Sequence, residues 1–135
     1  MSQQNDQRTD LPYALQTIPG YYSSQPGIQL GSQFSSSATD DDLTFARQLG
    51  IEWAMVNVDD PELHSAEGYR AISSRFEAAG LRVYRLANHR CHNMTSVTLG
   101  LPDRDERIAE YLQYIRNLGT AGIHYSTYAH MANGI

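Results

Sequence analysis

LGLPDRDERIAEYLQYIRNLGTAGIHYSTYAH, residues 99 to 130, is the stretch whose reading decides the fold. It runs as a loop, an amphipathic helix, a glycine stop and a strand. Asp103 precedes Glu106 in an Asp-x-x-Glu capping pattern, which predicts a helix starting at Arg104, with Pro102 closing the loop before it. Ile108, Tyr111, Leu112, Ile115 and Leu118 recur at helical spacing and form one apolar stripe. Arg104, Asp105, Arg107, Glu110, Gln113 and Arg116 fall on the other faces. Gly119 and Gly122 follow, and Gly122 is the better left-handed stop because Ile123 opens a new pattern. A fourth strand is expected over Ile123 to His130.

Upstream, the same unit repeats. Ile28 to Phe34 reads as a first strand, and Thr39 caps a helix whose first turn carries Asp40, Asp41 and Asp42, where negative charge complements the helix dipole. Leu43, Ala46 and Leu49 give that helix its buried face, and Gly50 ends it. Ile51 to Val58 is apolar except at Glu52 and Asn57, as expected of a strand covered on both faces. Asp59, Asp60 and Pro61 break it and cap a second helix with Tyr69, Ile72, Phe76 and Ala79 as its stripe. Gly80 ends that helix, Leu81 to Ala87 is the third strand, and Asn88 to Leu101 is the longest connection. Residues 1–27, rich in Gln, Ser, Asp, Pro and Gly, read as a mostly irregular N-terminal segment.

Alternating strands and helices imply parallel pairing through right-handed crossovers. Two architectures fit: a small doubly wound sheet, or the first half of a (β/α)8 barrel with four parallel strands and three crossover helices. A complete barrel needs about 250 residues, and the last strand has no helix after it. Residues 28–135 are therefore expected to be the N-terminal part of a longer barrel. Neither GxGxxG nor GxxxxGK[ST] occurs, so no dinucleotide site or P-loop is supported.

Composition bounds the function. The 135 residues carry a net charge of −5 without a Lys/Arg cluster, so nucleic acid is not an expected partner. No apolar run has the length of a membrane span and no signal core begins the chain, so a cytoplasmic protein is expected. Its one cysteine, Cys91, has no internal disulfide partner.

Both architectures place chemistry at the carboxyl ends of the strands. Asn57, Asp59 and Asp60 end the second strand; His89, Arg90, Cys91, His92 and Asn93 follow the third; Tyr128, His130 and Asn133 close the fourth. His124 lies at the opposite end of its strand, and His64 opens the second helix region. The H-x-x-H spacing of His89 and His92 around Cys91 fits metal ligation, loop hydrogen bonding or substrate contact. Cys91 reads as a structural thiol and Asp59 and Asp60 as capping residues. Arg90 fits a fork for a substrate carboxylate or a surface ion pair. His130, beside Tyr128, is the candidate for proton transfer or contact with substrate oxygens.

The run from Leu99 to Ile123, with the strand ending at Tyr128, resembles the mannonate dehydratase family. The shared features are a Leu-Gly-Leu-Pro turn, an Arg-Asp pair, a tyrosine-bearing helix and an Ile-Arg-Asn-Leu-Gly-x-Ala-Gly-Ile run before the fourth strand. Asp41-Asp42-Leu43-Thr44 and Glu77-Ala78-Ala79-Gly80-Leu81 keep the order upstream, so the resemblance covers about residues 28–135. It implies a xylose-isomerase-like TIM barrel that dehydrates D-mannonate to 2-keto-3-deoxy-D-gluconate with Mn²⁺ or Fe²⁺. The family's metal ligands come from later strands, so none is expected before Ile135. His92 matches a histidine in the loop after the family's third strand. Where the family reads Tyr-Asn-Phe-Met-Pro, this chain reads Tyr128-Ala129-His130-Met131-Ala132, which points to another sugar acid or to a sugar isomerase or epimerase on the same barrel. A non-catalytic small-molecule-binding module is the reading from another class. The expected substrate-binding set is His89, Arg90, His92, Tyr128, His130 and Asn133, with a sugar acid as partner and homo-oligomers compatible with the reading.

Overall fold

The computed structural model describes residues 28–129. The elements run β1 (Gly31–Ser35), α1 (Asp40–Gln48), β2 (Trp53–Asn57), a 3₁₀ turn (Pro61–Leu63), α2 (Ala66–Ala78), β3 (Arg82–Ala87), a second 3₁₀ turn (His89–Cys91), α3 (Thr95–Leu99) and α4 (Arg104–Thr120). Among the described residues the sheet has three parallel strands in the order β1-β2-β3.

Local chemistry sets the helix ends. Thr39 caps α1 as expected, and the structure adds a reciprocal bond the sequence reading did not include: its hydroxyl accepts from the Asp42 amide, and the Asp42 carboxylate accepts from the Thr39 amide at 2.8 Å. α2 is capped by Ser65 through the Gly68 amide, whereas Asp60 caps only the 3₁₀ turn, so the expected role of Asp59 and Asp60 in capping α2 is corrected. At α4 the Asp103 side chain makes no cap bond and instead meets Arg107 Nε at 3.2 Å. The capping box read there is not formed, although the helix starts at Arg104. Gly122, at φ 83°, supplies the left-handed stop after α4.

One core holds the elements together. Leu43 and Ala46 of α1, Tyr69, Ile72 and Phe76 of α2, and Tyr114 and Leu118 of α4 pack with Ala54, Val56, Val58 and Leu86 in a single cluster. These helices therefore cover one face of the sheet, which a doubly wound arrangement does not do. The opposite face carries Gly31, Gln33, Trp53, Met55 and Tyr84, which line a concavity of about 440 Å³ with Gln29 and Ser32. β2 thus alternates buried and half-buried residues and is not covered on both faces as its apolar sequence suggested. Leu49 is 56% exposed, and the stripe on α4 is rotated: Ile108, Leu112 and Ile115 are exposed, while Tyr114 and Leu118 are buried.

Two boundaries also differ. β1 begins at Gly31, because the Leu30 carbonyl already accepts from both the Glu52 and Trp53 amides. Ile123–129 is not a strand. The Ala87 carbonyl accepts from Val58 N, so the Leu86 carbonyl points to the free edge of β3, where the Tyr114 hydroxyl takes it at 2.6 Å. That hydroxyl also meets Ser126 Oγ at 3.2 Å and stands as a wedge between β3 and the expected fourth strand. The segment still follows β3: Tyr125 packs on Tyr84, and the Ala129 amide donates to the His92 carbonyl at 2.8 Å.

Candidate functional site at the carboxyl rim

The carboxyl ends of the three strands bring polar groups together. At β1 and β2, Ser35 Oγ donates to Asp59 Oδ2 at 3.0 Å and lies 2.8 Å from Ser37 Oγ. The Ser36 amide donates to the Asn57 carbonyl, which sets these loops side by side. Ser35 and Ser37 were absent from the sequence-based set; a serine-rich turn after a strand was their only signal.

After β3, Asn88 is buried and its Oδ1 accepts from the Arg90 amide at 3.0 Å, closing the second 3₁₀ turn. That turn separates the candidates by direction. His89 is exposed, Arg90 reaches outward to Glu110 of α4 at 3.7 Å, and Cys91 points into the core. Glu110 also takes Arg107 at 2.9 Å, so Arg90 joins a surface ion network. Burial, and next the Glu110 charge, push the Cys91 thiol up, so it stays protonated near neutral pH as the structural reading expects.

His92 is half-buried and faces the segment after α4. Its Nδ1 lies 3.4 Å from the Thr127 carbonyl, and its own carbonyl accepts from the Ala129 amide. A carbonyl only accepts, so Nδ1 is the donor in this contact, a tautomer that leaves Nε2 as the acceptor of the neutral ring. Tyr128 is 65% exposed beside it. His130 and Asn133 lie outside the described residues. Among the described residues no three His, Cys, Asp or Glu side chains are grouped to hold a metal ion.

His64, set aside at the sequence level, is structural. Its Nδ1 bonds the Tyr69 hydroxyl at 2.9 Å, and Tyr69 stacks edge-on to Tyr114 with centroids 6.2 Å apart. Burial, followed by the Arg90 charge, lowers the His64 pKa, which favours the neutral ring at this contact.

A parallel α/β unit whose polar groups gather beyond the strand ends has the layout of α/β enzymes that bind small molecules at that rim. The sequence pattern of the D-mannonate dehydratase (UxuA) family matches residues 36–134, and the chain belongs to that family. It is 29% identical over 102 residues to the mannonate dehydratase of Lactococcus lactis subsp. cremoris, covering 73% of this chain and 28% of that protein. The mannonate dehydratase of Lactococcus lactis subsp. lactis is 30% identical over 82 residues, 61% of this chain and 22% of that protein. The chain thus spans about a quarter of the length of the curated relatives it matches. No solved structure matches it. No helix among the described residues is long and apolar enough to cross a membrane.

Proposed function

We propose that the chain is the N-terminal portion of a hydro-lyase that removes water from D-mannonate, or a related sugar acid, to give 2-keto-3-deoxy-D-gluconate in the cytoplasm. The observation that carries this reading is the family match over residues 36–134. The one-sided helix layer supports the barrel half of the proposal, because a (β/α)8 barrel keeps its helices outside and turns the other sheet face inward. The described sheet supplies three of its strands.

In this reaction the proton beside the carboxylate is abstracted and the neighbouring hydroxyl leaves with a proton as water; the resulting enol becomes the 2-keto acid. A divalent metal, Mn²⁺ or Fe²⁺ by family resemblance, would stabilise charge on the carboxylate. No three candidate ligands are grouped among the described residues, and the reading assigns the metal's ligands to later strands. What this chain contributes is the rim. Nε2 of His92 can accept a hydrogen bond from a substrate hydroxyl, with the ring oriented by Thr127. Arg90 is a surface ion-pair residue in this reading, and His130 keeps its place as the candidate proton carrier.

The test is an assay of a complete chain containing residues 28–135, supplied with Mn²⁺ and D-mannonate. Formation of a 2-keto-3-deoxy acid supports the proposal. Epimerised or isomerised sugar acid with no loss of water would support the isomerase or epimerase reading, one of the two to which the change from Asn to Ala129 points, a different sugar acid being the other. Saturable binding without turnover would leave a binding module.

A further inference from the structure

The sheet face that carries no helix bears a charge without a counter-charge among the described residues. Arg85 lies in the middle of β3, where a bulge sets Tyr84 and Arg85 against the single residue Met55 of β2. The bulge turns Arg85 to the open face: its Nη1 lies against Met55 Sδ, and Met55 and Tyr84 line the concavity there. A guanidinium offers five N–H donors, and a thioether sulfur is a weak acceptor. Nε of Arg85 is shut off from solvent with no hydrogen-bond partner, and no carboxylate pairs with Arg85 among the described residues. Among the described residues the other orphaned polar atoms of this kind are hydroxyls, Ser73 Oγ and Thr127 Oγ1. An ionised group held this way is costly until an anion meets it, and a carboxylate matches its fork.

The row across the sheet gives the ligand's surroundings. Gln33, Met55 and Arg85 are register partners, so an amide and a guanidinium flank one methionine. One step nearer the rim, Ser35, Asn57 and Ala87 form the next row. A ligand with a carboxylate at Arg85 would therefore run past Gln33 and place hydroxyls at Ser35 and Asn57. The sequence pointed to Arg90 for carboxylate recognition, but Arg90 is committed to Glu110 on the outer side.

We propose that Arg85 is a carboxylate-binding anchor on the open sheet face, with Gln33 as its polar neighbour. The carboxylate of a sugar acid is one source, and this assignment rests on the dehydratase reading; a carboxylate side chain of the polypeptide is the other. The shared chemistry is a bidentate Arg85–carboxylate contact.

The experiment follows the Arg85 Nε–H resonance of a ¹⁵N-labelled complete chain containing residues 28–135, assigned with Arg85→Lys, while D-mannonate, D-mannitol or acetate is added. A saturable downfield shift with D-mannonate but not D-mannitol, together with about tenfold weaker binding by Arg85→Met, is the expected result. Arg85→Lys keeps the charge without the fork and should bind with intermediate affinity, which separates lost recognition from lost folding. A resonance already shifted in the free chain that reverts as pH falls through the carboxylate range assigns the partner to a side chain of the protein. A response to acetate without one to D-mannonate keeps the anchor and sinks the sugar-acid reading. D-mannonate binding equally well to Arg85→Met, with the resonance unmoved, overturns the anchor and leaves the dehydratase reading standing. A resonance that neither responds to any carboxylate nor titrates also overturns it.

Discussion

The hydroxyl of Tyr114 on α4 donates to the carbonyl of Leu86 on β3 at 2.6 Å, and this bond fixes the helix to the edge of the sheet. Both residues are buried, so no water replaces the hydroxyl when it is removed. Tyr114→Phe leaves the carbonyl without this donor and should cost about 1–3 kcal/mol. Urea unfolding should show a lower midpoint with an unchanged slope. Hydrogen exchange should also speed up at Ser126 and its neighbours, which the same hydroxyl holds.

The capping box at α1 predicts a pH dependence. The side-chain bond from Thr39, and next its backbone bond, lower the Asp42 pKa from 3.8. A depressed carboxylate contributes stability that is present above its unfolded value and lost as pH falls through the folded one. Thr39→Ala should destabilise by about 1 kcal/mol at neutral pH. The difference between the two proteins should shrink in acid below the ordinary aspartate range, as measured by thermal melts from pH 7 to pH 2. A constant difference across that range would argue that the box carries no such linkage.

Gly68 is required in the first turn of α2. A Cβ there would collide with the Leu63 carbonyl and lie 2.9 Å from Leu63 Cα, both on backbone that cannot swing away like a side chain. Despite the better helix propensity of alanine, Gly68→Ala should destabilise by about 1–3 kcal/mol. A chemical-denaturation midpoint at or above that of the parent chain would show that the 3₁₀ turn moves freely.

The His92 tautomer can be separated into its two ends. An Asn side chain reaches the position of Nδ1 and a Gln side chain that of Nε2. In a complete, active chain, His92→Asn should keep the Thr127 contact yet lower kcat/KM about tenfold or more, while His92→Gln recovers part of the loss. His124→Ala, at the far end of the segment, should have a much smaller effect. Equal losses at both positions would place the site elsewhere.

How much of this was legible beforehand differs element by element. The Thr39 cap, Gly122 and the α2 stripe were legible because each depends on residues a few positions apart, whereas the role of Asp42 as the second half of a capping box was read only as a helix-dipole charge. Asp103 was misread at the same range: its carboxylate accepts from Arg107 and from Ser96 of α3 in place of the helix amides, and the Ser96 bond is the largest cause of its lowered pKa. Leu49 and the Ile108–Leu112–Ile115 stripe are amphipathic by spacing, but spacing does not say which face meets the core. Arg90 and Arg85 show the same limit at the site. Both follow from one strand, yet a 3₁₀ turn sends one outward while a bulge turns the other to the open face.

The sequence by itself determined the alternation β1, α1, β2, α2, β3, α4 and the family, because these rest on local hydrogen bonding, periodicity and a dense run of matching residues, but it missed α3 inside the long connection and placed a fourth strand that does not form. Tertiary structure alone decided that the helices share one face, that Tyr114 displaces a fourth strand from β3, and that Arg85 has no counter-charge among the described residues. Those outcomes depend on which distant groups reach a carbonyl or a charge first, and that competition is settled only when the chain is packed.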